Sequence, residues 1–465
     1  SEDVYKRQAI GSAVGLGNIW GFPNKMGANG GFTFLILYLV LAVFCGVIVM
    51  IGELALGRKT GHGAIGAYRI LSKKFKWLGW MGVLSAFLIL GFYCALGGYC
   101  LKYVTLNVGN LFHAGFGTGT LDGAGVFDAL MANQGECVIY GLIFVAITMV
   151  IVMGGVGGGI EKVCSVGMPA LFVMLVICII RSCTLDGAVE GLKYMFVPGW
   201  ALANGVIKEA PNFFSVVSTA GGQMFFSLSL GMAAMITYGS YLDKKENLQK
   251  NAIIIVVMDT LVALMAGLCV IPGRFALDPT GNLGGPSLLF VTMQNVFDRM
   301  GAAGPIFGIL FYLLVVFAAV SSSISLLEAV VAHYVDRARD RGKGDKRKTY
   351  SVLAGIAAGI LCVIVCLDSL GSAGISPADI LGMRGTMEKL PTWSADWLDF
   401  FDCIAEGILM PLGALLMSIM YGWEIGPGVV RDEIEHDEGH KMFGYTFFKT
   451  VSYTHLRAHE TSLHL

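Results

Sequence analysis

The chain has 465 residues, 55% hydrophobic and only 14% charged, with a formal net charge of -1 and a mean hydropathy of +0.70. A soluble domain carries about a quarter charged residues, so the composition argues against one, and the near-neutral balance argues against a nucleic-acid partner. The 63 glycines suit closely packed membrane helices. The 11 cysteines lie mostly inside apolar runs, without a CxxC or a Cys/His cluster, and read as small buried hydrophobes rather than disulfides or metal ligands.

Apolar runs of about twenty residues recur along the whole length, which predicts a polytopic all-α membrane protein in contact with lipid. Ten spans are expected, near residues 9–23, 32–56, 78–104, 137–156, 163–183, 213–239, 251–272, 305–335, 351–370 and 401–423. Basic residues cluster after the second span (Arg58, Lys59, Arg69, Lys73, Lys74, Lys76), the sixth (Lys244, Lys245, Lys250) and the eighth (Arg337, Arg339, Arg341, Lys343, Lys346, Arg347, Lys348). Loops after odd spans carry no comparable cluster, so the positive-inside rule places the even loops and the N-terminus in the cytoplasm. The long loops near 107–135, 184–211, 273–304 and 371–398 then face outward. Residues 1–8 are polar where a helix should enter the bilayer, and 450–465 are polar and unlike the apolar stretch before them. Both are expected to be foreign tails, with the natural protein extending further at each end.

The first span contains IGSAVGLGNIWGFP, with Gly11, Gly15, Gly17 and Gly21 around Asn18. Each interior glycine costs a helix about 1 kcal/mol relative to alanine. A helix that simply crosses the bilayer has no reason to accumulate that cost. A helix that breaks at mid-membrane does, because its freed carbonyls can face a ligand. Five spans later, FSLSLG puts Ser227, Ser229 and Gly231 at membrane depth. Two interrupted helices at matching positions of two five-span halves, 9–183 and 213–423, predict an inverted repeat with the binding site between the breaks. Residues 424–449 are then a cytoplasmic segment and the start of an eleventh helix.

Polar groups at depth come next. Glu53, near the end of the second span, fits a solvated helix end and a gating residue equally. Asp259 lies well inside the seventh span, where an uncompensated charge is costly. No Lys or Arg stands at that depth, which favours a cation ligand over a structural ion pair. Glu328 stays unassigned. Ser321, Ser322 and Ser323 suit back-bonding to the preceding turn, close helix packing beside Ala318 and Ala319, or a sodium ion held by hydroxyls and carbonyls. Tyr93, on its own, is an ordinary interior tyrosine. The glycines near Gly15 and those from Gly154 to Gly159 follow no strand and lack an acid at dinucleotide spacing. No catalytic constellation appears among the eight histidines, so no enzyme is expected.

Taken in order, GSAVGLGNIWGFP followed by NGG, then GQMFFSLSLG with ITYGSY, then FAAVSSSIS resemble a bacterial member of the neurotransmitter:sodium symporter family, over about residues 9 to 449. The resemblance implies a 5+5 inverted-repeat helical bundle with broken helices 1 and 6, its terminal helices truncated here, in the inner (plasma) membrane. It implies sodium-coupled amino-acid uptake by alternating access, with two sodium ions. Chloride would not be required, because a carboxylate at Asp259 would supply the charge that chloride supplies in animal members. The first sodium site would use the Ala13 carbonyl, the Asn18 side chain, Ser227, Asp259 and the substrate carboxylate. The second would use the carbonyls of Gly11, Val14 and Ala318 with the hydroxyls of Ser321 and Ser322. The substrate carboxylate would meet Tyr93 and the amides near Gly15 and Gly17, helped by the positive end of the outer half-helix. Its ammonium would meet carbonyls of the two breaks, Ala13 among them, and Ser229.

Ile89, Phe226, Met232, Ser322 and Leu326 would line the side-chain pocket, with Phe226 as its outer lid beside the gating acid Asp402 and Gln223. Met232 and Leu326 favour a hydrophobic or aromatic amino acid. The family's outer-gate arginine, just before Phe22, is Gly21 here, which leaves Asp402 without that partner. Alternative functions are a transporter-like amino-acid sensor and a non-coupled carrier or channel. A channel would want a continuous polar lining, whereas these polar residues gather at one depth.

Overall fold

The computed structural model describes residues 14–154, 160–277, 285–342, 346–383, 392–436, 441–446 and 448–450, the side chains of 160–168 and 287 excepted. Gly11, Ala13, the glycines of 155–159 and the expected tails, apart from Thr450, lie outside these residues. Among the described residues there is no strand. Helix α1 opens on a π-helical turn, Gly17–Gly21, and continues as Phe22–Ala28. It is followed by α2 (Phe32–Thr60), α3 (Ala64–Leu71), α4 (Leu78–Leu111), α5 (Gly123–Ala132), α6 (Gln134–Met153), α7 (Ile160–Cys183) and α8 (Ala188–Phe196). The second half comprises α9 (Phe213–Ser227), α10 (Ala234–Gly239), α11 (Leu248–Leu277), α12 (Ser287–Asp298), α13 (Gly304–Asp340), α14 (Arg347–Asp368), α15 (Trp397–Trp423) and α16 (Gly428–Ile434).

Seven of these helices are long and apolar enough to cross a membrane, and a bent pair, Pro169–Cys183 with Ala188–Phe196 at 112°, makes an eighth. The other two of the ten expected spans are the interrupted ones: α1, described only from residue 14 onward, and α9–α10, which is broken between Ser227 and Ala234. Helices α4, α11 and α13 run past their expected ends. Hydropathy marks where the bilayer stops, not where backbone hydrogen bonding stops. Helices α5, α8 and α12 lie within the stretches read as outer loops; α5 and α12 are too short to register as spans, and α8 counts only together with the end of α7.

The break between α9 and α10 has a local cause. Ser229, Gly231 and Ala233 take left-handed backbone, with φ of 56°, 74° and 68°. The Leu228 and Leu230 N–H groups bond back to Met224 and Phe225, which closes α9. A Cβ on Gly231 would stand 2.8 Å from the Met410 Cα, so only glycine fits there. Its N–H donates to Glu53 Oε1 of α2 at 2.6 Å. Glu53 is 2% exposed; it is the buried cap of the break, not a solvated helix end. Glu328 accepts from Arg347 of α14 at 2.6 Å and from the Tyr241 hydroxyl at 2.9 Å, a tie between the ends of α13 and α14 and the loop after α10.

Candidate functional site

The π-helical turn of α1 packs against α9 and α11, which brings the polar residues of both interrupted spans together. Asn18, Ser227 and Asp259 are all buried. The Asn18 amide Nδ2 donates to Ser227 Oγ at 3.0 Å, to the Asp259 carbonyl at 3.0 Å and to Asp259 Oδ1 at 2.6 Å. Ser227 Oγ donates to Asp259 Oδ2 at 2.7 Å. Asn18 Oδ1 accepts from the Gly15 N–H at 2.9 Å. Three oxygens therefore surround one amide nitrogen, and a hard cation favours the same mix of carboxylate, hydroxyl and carbonyl. The Tyr38 hydroxyl is buried beside Ser227, Asp259 and Thr260. Tyr38 and Thr260 were not singled out from the sequence, since a tyrosine or threonine in an apolar span carries no distinguishing pattern. Among the described residues no group of three or more His, Cys, Asp or Glu could hold a metal ion, so a transition-metal centre has no ligand set there.

In the second proposed ion site, Ser321 Oγ donates to the Ala318 carbonyl at 2.8 Å, the back-bonded arrangement open from the sequence. Val14 is buried at the turn that precedes Gly15, and a Cβ on Gly15 would overlap Ser322 Oγ and stand 2.5 Å from the Tyr93 hydroxyl. Glycine lets the α1 backbone approach both hydroxyls. The Leu16 N–H donates to the Tyr93 hydroxyl at 2.9 Å, which orients that hydroxyl toward the turn. Tyr93 thus serves the break directly and is not merely an interior ring.

One cavity is lined by Gly15, Gly17, Ile89, Tyr93, Phe226, Ser229, Met232, Ser322 and Leu326, all singled out from the sequence, together with Ala234 and Ser325. It is narrow, about 20 Å³. Its hydroxyls sit with the broken backbone, while Ile89, Phe226, Met232 and Leu326 close the apolar side. Ser325 was missed because its own helix supplies a ready partner: Ser325 Oγ donates to the Ser321 carbonyl at 3.0 Å.

Gln223 donates through Nε2 to the Gly17 carbonyl at 2.8 Å, so it fastens α9 to α1 above the cavity. Asp402 is not left without a cation. Lys25, one turn beyond Gly21, holds its Nζ 3.4 Å from Asp402 Oδ2 and is ion-paired with Glu406 as well. The expectation from Gly21 alone failed because the compensating charge sits four residues on, at a helix end where a lysine reads as interfacial.

Comparison with known proteins identifies the family. The family model described as the sodium:neurotransmitter symporter family matches residues 5–111 and 129–382. The chain is 33% identical over 449 residues, 95% of its length and 91% of the relative's, to the sodium-dependent transporter YhdH of Bacillus subtilis. It is 30% identical over 465 residues, covering 96% of this chain and 92% of the relative, to a sodium-dependent transporter of Haemophilus influenzae. A crystal structure of MhsT in complex with L-phenylalanine superposes with a TM-score of 0.84 at 33% identity, covering 97% of this chain and 95% of that one. The chain belongs to the sodium:neurotransmitter symporter family, a family of sodium-dependent membrane transporters.

Proposed function

We propose that this protein couples inward movement of sodium to uptake of a hydrophobic or aromatic amino acid by alternating access. The observation that carries the reading is a shared backbone turn: Asn18 bonds to the Gly15 N–H at 2.9 Å, while Gly15 lines the cavity. Sodium at Asn18, Ser227 and Asp259 and a substrate carboxylate beside Gly15, Gly17 and Tyr93 would thus order the same segment. Each then raises the affinity of the other by the same factor. The second ion belongs with Val14, Ala318, Ser321 and Ser322, completed by Gly11; the first is completed by Ala13. The apolar side of the cavity supports a hydrophobic side chain, and MhsT, similar over nearly the whole chain, is seen with L-phenylalanine. The Asp259 carboxylate supplies the negative charge at the first ion, so chloride is not required. The basic loops after even spans support a plasma-membrane orientation with the N-terminus in the cytoplasm.

The test is a thermal-shift and radioligand screen of the purified protein with phenylalanine, tryptophan, leucine and glycine in sodium or potassium buffer. Stabilisation by an apolar amino acid in sodium alone is expected; equal shifts in potassium would overturn the coupling. Saturable counterflow in proteoliposomes separates a carrier from a sensor or a channel.

A further inference from the structure

Above Phe226 the two halves of the molecule are joined by charge. Lys25, in the last turn of α1, reaches across to α15, where its ammonium pairs with Glu406 and lies 3.4 Å from Asp402. The same ammonium stands 5.8 Å over the Phe226 ring, the lid of the cavity. Asp402 and Glu406 are four residues apart where α15 winds into a π-helical turn, Cys403–Leu409, a spacing that puts both on one face of the helix. Each keeps a buried oxygen, Asp402 Oδ1 and Glu406 Oε2, with no hydrogen-bond partner among the described residues. A side chain at position 21 would first meet the end of Gln223, whose Oε1 would lie 2.9 Å from its Cβ.

We propose that Lys25 is the gate cation of this protein and Glu406 its second anchor, so that two carboxylates on one ammonium hold the lid closed. The proposal rests on the cavity beneath Phe226 being the substrate site. The arrangement has a consequence a single ion pair lacks. Either carboxylate alone still leaves Lys25 a partner, whereas removing Lys25 leaves two neighbouring carboxylates uncompensated. Glu406 is the better buried anchor, 4% exposed at its side chain against 18% for Asp402, so its loss is felt more.

The experiment uses the full chain in cells, with Cys403→Ser removing the partly buried thiol next to Asp402 and Ile89→Cys placing a thiol under Phe226. A membrane-impermeant methanethiosulfonate reagent, added outside, reads how open the lid is. Lys25→Met is expected to speed labelling at least about fivefold, Asp402→Asn or Glu406→Gln alone less than about twofold, and the two together as much as Lys25→Met, a non-additive pattern. Lys25→Arg should label at the parent rate, which separates a need for charge from a loss of folding. Labelling of Lys25→Met at the parent rate, or single carboxylate variants each as leaky as the double, would overturn the proposal. Sodium plus phenylalanine tests the earlier reading separately, by protecting the Ile89→Cys thiol. Protection without the gating pattern sinks only the gate, and the gating pattern without protection sinks only the substrate assignment.

Discussion

Asp259 shows how much one residue can disclose. Its depth in an apolar span pointed to a cation ligand, and its carboxylate does meet an amide and a hydroxyl rather than a basic side chain. If it is the charged ligand of the first ion, Asp259→Asn should weaken sodium affinity about 10- to 150-fold, the equivalent of losing a charge-assisted contact of about 1.5–3 kcal/mol. Added chloride should recover part of the loss. Sodium titrations of substrate binding, with and without chloride, read both effects; an unchanged titration would remove Asp259 from the site. Lys25 could not be found the same way. A lysine near a helix end is ordinary, and its partner Asp402 is 377 residues away.

At the scale of elements, the interruption of α9–α10 was legible because glycine and serine at membrane depth are costly for a continuous helix. What holds the break open was not. Glu53 supplies the acceptor for the Gly231 N–H, and that contact joins α2 to a segment 178 residues later. Glu53→Ala should leave a buried N–H unsatisfied and cost about 1–3 kcal/mol of stability, while Glu53→Gln, which keeps an acceptor, should cost much less. Melting temperatures of the purified variants decide this, and equal destabilisation by both would deny the capping role. The π-helical turns Gly17–Gly21 and Cys403–Leu409 also escape sequence reading. They depend on one additional residue per turn rather than on composition.

Across the whole molecule, the ends next to the basic loops are tied together by a buried cation. Arg58, at the end of α2, is 5% exposed. Its Nε donates to Glu433 Oε1 of α16 at 2.8 Å and its Nη1 to the Glu246 carbonyl at 2.7 Å. One guanidinium thus joins α2, the loop before α11 and the segment after α15. Arg58→Met should destabilise strongly, by about 3–5 kcal/mol, because Glu433 is left buried and uncompensated. Adding Glu433→Leu should restore much of the loss. Thermal denaturation of the single and double variants checks it, and a double variant no better than the single would mean that Arg58 acts through its backbone contacts alone.

Sequence by itself determined the class of protein and the interrupted spans. These follow from local physics: hydropathy sets which segments enter the bilayer, and glycine and polar residues at depth mark where a helix yields. Most of the cavity lining followed from the family resemblance instead, and Ala234 and Ser325 were not among the residues it implied. Tertiary structure decided which charges meet. Lys25 with Asp402 and Glu406, Glu53 with Gly231, and Arg58 with Glu433 are pairings between distant segments. A side chain's partner is set by how the helices pack, which no spacing along the chain records.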